Sequence, residues 1–286
     1  MRNLSVALAM VFATSLAGPA LADELAPNPN IEIHYVTPKS AALKPINERF
    51  RERRVLERLS VFLSPLKLPS TLKISAAECH GVEKPFNRRD GVVICYEVIA
   101  QIRSSARKAY GDNTPDYRKS VAGAVAQHVL YRVALGLLDV LDIPVWGRYV
   151  DAADKLASLT VLALDPENAV KIVDGTERFF KGSGKIWTGV VFAEPRAPLV
   201  QRFYNYACLA FGAYPAKFQH FKDDKAFLFR SGLEGAEGPD PRITDDNNYC
   251  TNEYKSARRD FWKVMTPYLD KATRGGKFAV FEEADF

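Results

Sequence analysis

The residues best placed to do chemistry fall on one helical face. At 3.6 residues per turn His128, Arg132 and Asp139 project in nearly the same direction, with Leu135 beside them. Two carboxylates, Asp151 and Asp154, follow in the string RYVDAADKLA. One histidine and two carboxylates are ligand types that zinc accepts, so His128, Asp151 and Asp154 form a conceivable metal-assisted hydrolytic set. Arg132 stands among them, and a fixed cation strongly disfavours a dication nearby. A buried arginine itself requires partners. The expected arrangement is therefore an ion pair of Arg132 with Asp154, with Asp151 and Asp139 as the other available carboxylates.

Other chemistries find less support. His34, His80 and His220 form no ligand pair at helical spacing. The chain contains no GxSxG string, and Cys79-His80 is its one adjacent Cys-His pair. The carboxylate pairs Asp245-Asp246 and Glu282-Glu283 fall in a predicted loop and tail.

Two long helices must position the polar face: Val121 to Leu141 and Arg148 to Leu164, joined by the turn DIPVWG. The first is apolar around most of its circumference, through Val129, Leu130, Val133, Ala134, Leu137, Leu138, Val140 and Leu141, which predicts burial on most faces. Around this pair the pattern predicts a strand at IEIHYV and one helix from Pro45 to Leu63 with RFRERR on its solvated face. A hairpin of LKISAAEC and GVVICYE follows, then a helix from Glu97 to Tyr110. Thr114 or Asp116 is suited to cap the first central helix. Further helices are expected over Glu167–Lys181, Pro198–Ala213 and Thr251–Leu269, with a short strand at WTGVVF and a mobile loop over Ser231–Asn248. The predicted fold is α+β: mostly helical, with a small antiparallel sheet and a central buried helix pair.

The chain of 286 residues is 47% hydrophobic with a net charge of +5, enough to bury a sizeable core. Its charges are interleaved, with no basic run carrying aromatics, which argues against nucleic acid. Arg2, the apolar stretch LSVALAMVFATSLAG and Ala20-Leu21-Ala22 read as a signal peptide over residues 1–22, cleaved near Ala22. Beyond it no apolar run suggests a transmembrane segment. The mature chain, residues 23–286, is expected as a single domain, periplasmic or secreted. Its four cysteines, Cys79, Cys95, Cys208 and Cys250, then favour two disulfides. Three pairings are possible. Cys79 and Cys95 flank the predicted hairpin and are the expected partners, which would leave Cys208 with Cys250.

Several strings resemble a bacterial family of putative metallopeptidases of unknown function. They are AEC followed by ICYE, LLDVLDIPVWGR leading into DAADKLA, QRFYNYACLAFG, and Cys250 followed by Glu253-Tyr254. The resemblance spans roughly Ile31 to Leu269. It implies a zincin-like domain whose central helix carries His-Glu-x-x-His, two zinc ligands and a general base, with acidic residues after the turn. Counting back from DVLDIPV, the five motif positions fall on Tyr131, Arg132, Val133, Ala134 and Leu135. The acidic positions after the turn fall on Tyr149 and Val150, while Asp151 and Asp154 persist. The zinc expected for the family is thus predicted absent. The reading is a pseudoenzyme that binds a peptide or an envelope protein partner, with LKISAAE as the strand that would receive a peptide by strand addition. The alternative is an active metallopeptidase or hydrolase using His128, Asp151 and Asp154.

Overall fold

The structure, a computed structural model, describes residues 27–81, 86–182, 197, 199–223 and 249–269. The expected signal peptide, the strand at WTGVVF, the loop over Ser231–Asn248 and the C-terminal tail lie outside the described residues.

Three strands form one sheet: β1 (Ile31–Tyr35), β2 (Leu72–Ala77) and β3 (Val92–Cys95). Their order is β1-β2-β3 and both pairings are parallel, with Ile33 opposite Ile74 and Ala76 opposite Ile94. The expected hairpin and antiparallel sheet are therefore corrected. The 14 residues from Glu78 to Gly91 carry the chain back to the start of the next strand, and parallel pairing needs a connection of about that length. The disulfide explains why a hairpin fails. In a hairpin Cys79 would lie near the loop, and Cys95, four residues past Gly91, would stand roughly 13 Å along the strand. In the parallel sheet the ends of β2 and β3 lie side by side, and the Cα atoms of bonded Cys79 and Cys95 are 5.5 Å apart. The second disulfide joins Cys208 to Cys250, as expected.

The segment between β1 and β2 forms two helices, α1 (Lys44–Glu52) and α2 (Val55–Phe62), where one was expected. Arg54 breaks them with φ of 51°. The apolar spacing accounts for the break. Ile46 and Phe50 lie four apart, as do Val55 and Leu59, but Phe50 to Val55 is five. A continuous helix would turn the second pair roughly 140° away from the first. The break lets both bury their apolar side chains.

Six further helices lie where helices were expected: α3 (Tyr96–Tyr110), α4 (Pro115–Val140, starting six residues earlier than expected), α5 (Tyr149–Leu162), α6 (Pro166–Gly182), α7 (Leu199–Ala213) and, after the unexpected short α8 (His220–Asp223), α9 (Tyr249–Met265). Thr114 caps α4, its hydroxyl accepting from the Tyr117 N–H at 3.1 Å. Packed against α3, α5, α6 and the sheet, α4 is the centre of the core. By length and composition it could cross a membrane, but 89% of its apolar window is buried within the fold. Helices α4 and α6 meet backbone to backbone at Gly123 and Gly175. A methyl group on Gly123 would sit 2.5 Å from the Thr176 nitrogen, so only glycine permits this approach. The Cys208–Cys250 bond ties α7 to α9.

Candidate functional site

The polar face of α4 does not converge on one site. Asp139, at its C-terminal end, accepts from Arg88 Nε at 2.7 Å. Arg132 is 2% exposed and donates through Nε to the Val93 carbonyl of β3 at 3.0 Å. His128 lines a cavity.

The expected Arg132–Asp154 pair is corrected. Asp154 on α5 is held by Arg202 of α7, with Nε to Oδ2 at 2.6 Å and Nη2 to Oδ1 at 2.8 Å. A bidentate fork of this kind is the strongest geometry available to an arginine and a carboxylate, and both side chains are largely buried. Arg132 turns the other way because β3 passes α4 on that side and presents its carbonyl. Asp151 accepts from the Ala197 N–H at 3.1 Å through Oδ1.

The motif turn of α4 is filled. Tyr131 and Leu135 are buried. The Arg202 guanidinium carbon lies 5.6 Å from the centroid of the Tyr131 ring, close enough for a cation–π contact. Tyr149, at the start of α5, donates its hydroxyl to the Leu135 carbonyl at 2.9 Å. Burial, then the nearby charge of Asp139, push the Tyr149 phenol up to about 12, against a smaller opposing effect of Arg88. Val150 is partly buried against the core. The donor set at these positions, one phenol, one guanidinium and one alkyl chain with a second guanidinium above, does not fit zinc. Among the described residues no group of three His, Cys, Asp or Glu side chains is gathered to hold a metal ion.

One turn earlier α4 borders a cavity of about 490 Å3. Its walls come from α3, α4, α6 and α7, and the Cys79–Cys95 disulfide and Gly81 form one margin. Gln127 and His128 enter from α4, Glu97 and Gln101 from α3, and Phe179 and Phe180 from α6. Arg202 stands between this cavity and the filled motif turn. Burial alone would raise the Glu97 pKa, but hydrogen bonds from backbone N–H groups at Cys79, Glu97, Gly81 and His80 outweigh it and hold the carboxyl below its usual range. The Cys79 N–H lies 2.8 Å and 3.0 Å from the two Glu97 oxygens.

Sequence reasoning missed Glu97 and Arg202 as site residues, although both lie in strings that carry the family resemblance, ICYE and QRFYNYACLAFG. A charged residue inside an otherwise apolar run was the available signal at Arg202. The candidate peptide-receiving strand is also corrected. LKISAAE forms β2, which is central and paired on both sides, so it offers no open edge for strand addition.

A mostly helical α+β domain, with a central apolar helix crossed by a second after a short turn, thus carries a filled motif turn and an adjoining cavity. The chain belongs to a family described as putative metallopeptidase, which it matches over residues 35–265. No curated protein and no solved structure matches it. Its two disulfides point to an oxidising, extracytoplasmic setting.

Proposed function

We propose that this chain is an exported, catalytically inactive member of its family that works by binding a peptide or an envelope protein partner. The observation that carries the reading is the content of the motif turn. The positions that the resemblance gives to His, Glu and His hold Tyr131, Arg132 and Leu135, packed inside the core. Arg132, in place of a general base, is a donor to a backbone carbonyl. A guanidinium cannot take a proton from water at neutral pH, and it offers no lone pair to a metal ion. The alternative ligand set of His128, Asp151 and Asp154 gains nothing from the geometry, since Asp154 is already neutralised by Arg202. Export after cleavage near Ala22 accords with the two disulfides.

Elemental analysis of chelator-free protein, before and after zinc addition and dialysis, tests this reading. The expected result is no retained zinc and no hydrolysis in a broad peptidase screen. About one equivalent of zinc that survives dialysis would overturn it.

A further inference from the structure

We propose that the cavity between α3, α4, α6 and α7 binds an organic cation, the lysine or arginine side chain of a peptide. This rests on the binding-protein reading and names the chemistry its ligand would present.

Two of the lining residues, Glu97 and Gln127, bring acceptors that suit a cationic donor. Glu97 is the carboxylate among the described lining residues, and backbone N–H groups on one side fix it in place. Those N–H groups are neutral, so the carboxylate keeps its negative charge and attracts a cation across the cavity. Gln127 donates through Nε2 toward the Ser158 hydroxyl at 3.5 Å, while its Oε1 is buried with no hydrogen-bond partner. An unmet buried acceptor is costly, and turning the Gln127 amide to present Oε1 to a ligand N–H would relieve that cost. The arginine in the wall does not oppose a cation, because Asp154 cancels the charge of Arg202 through two bonds. Among the described lining residues the carboxylate of Glu97 is therefore the charge not set against an opposite charge.

The rest of the wall suits an apolar stem behind the charged head. Ile102, Val98 and Phe180 line it, and Phe179 packs edge-on to Phe180 with ring centroids 5.8 Å apart. Methylene groups gain from such surfaces, and an aromatic face attracts an ammonium or guanidinium. At about 490 Å3 the space exceeds a single arginine side chain and leaves room for part of the flanking backbone.

The test is a calorimetric and NMR titration of the purified full mature chain with acetyl-Ala-Arg-Ala-amide. Acetyl-Ala-Leu-Ala-amide and acetyl-Ala-Glu-Ala-amide serve as controls. The expected result is saturable binding of the Arg peptide at least tenfold tighter than either control, with shifts at Glu97 and Gln127. Glu97→Gln should weaken it about tenfold. Because Glu97 also holds the backbone at Cys79 and Gly81, Gln127→Met provides a second variant that removes one acceptor without touching that loop, and it should weaken binding several-fold. Equal affinity for the three peptides, no binding of the Arg peptide, or unchanged binding in both variants would overturn the proposal. Such a failure would leave the metal analysis untouched, and retained zinc would overturn the inactive-protein reading whether or not the peptide binds.

Discussion

Two consecutive stretches of α4 have opposite characters. From Tyr131 to Leu135 every side chain is buried in the main core, and Arg202 and Tyr149 close over the turn from the neighbouring helices. From Ala124 to His128 the same helix borders open space, with a disulfide and a small satellite cluster of Cys79, Val93 and Cys95 along one margin. On the proposed reading, a helix of this kind can lose its metal ligands without losing its fold. Large side chains fill that turn, while space remains beside it between α3, α4, α6 and α7. The polar residues that line this space from α3 and α4 include Glu97, Gln127 and His128, all outside the Tyr131–Leu135 turn.

The sharpest way to break the contrast is at the closed stretch. Arg132→Ala removes the donor to the buried Val93 carbonyl and leaves a cavity. The loss should be about 4 kcal/mol from the two effects together, read as a lowered urea midpoint at constant slope. A stability change under 1 kcal/mol would mean that the closed turn is not the rigid half of the comparison. The next largest effect is at the helix crossing that sets the width of the open half. In Gly175→Ala the new methyl group would meet the Lys119 carbonyl and lie 2.9 Å from the Gly123 Cα. Backbone cannot yield as a side chain can, so α6 must move, at about 3 kcal/mol. Since α6 carries Thr176, Phe179 and Phe180 into the cavity, this variant should also change titrations there, whereas Arg132→Ala should not.

The sequence made the helices legible because their apolar residues recur with helical period and each is long. It made α4 legible as the centre because no surface helix can be that apolar. The sheet was misread for a specific reason: two short strands separated by a polar loop look the same whether the chain turns back or crosses over. The disulfide decides it, since Cys79 and Cys95 cannot meet across such a hairpin. The site was only half legible. That Tyr131, Arg132 and Leu135 are poor metal ligands follows from their types alone. Where Arg132 would point does not, because the choice between Asp154 and the Val93 carbonyl depends on which element passes on which side. Arg202 lies about 50 residues from Asp154, and no periodicity links them.

Asp154→Asn provides a smaller effect at the boundary between the two stretches. The variant keeps the shape but leaves the Arg202 charge without its carboxylate, beside the Tyr131 ring and the cavity wall. Loss of a partly buried charged hydrogen-bond pair should cost about 2 kcal/mol, measured by thermal and urea unfolding. The freed positive charge should weaken binding of the Arg peptide as well. If stability falls while affinity is unchanged, Arg202 belongs wholly to the closed stretch.

The smallest expected effect is in the acid response of the open stretch. Glu97 has its pKa lowered in the folded chain, so on acidification the unfolded chain takes up this proton first. Its contribution to stability is therefore complete above the ordinary carboxylate range, roughly pH 4.3, and is lost as pH falls through the depressed value. Glu97→Gln has no such proton to bind, so its urea midpoint should fall less than that of the wild type between pH 6 and pH 3. Parallel acid curves would mean that the hydrogen bonds from the loop after β2 do not hold this carboxylate. They would also remove the reason for treating it as a fixed anion at the cavity. A flatter curve for the variant would instead tie the loop at Cys79, the ionised Glu97 and the open half of α4 into one unit that loosens as that carboxylate is protonated.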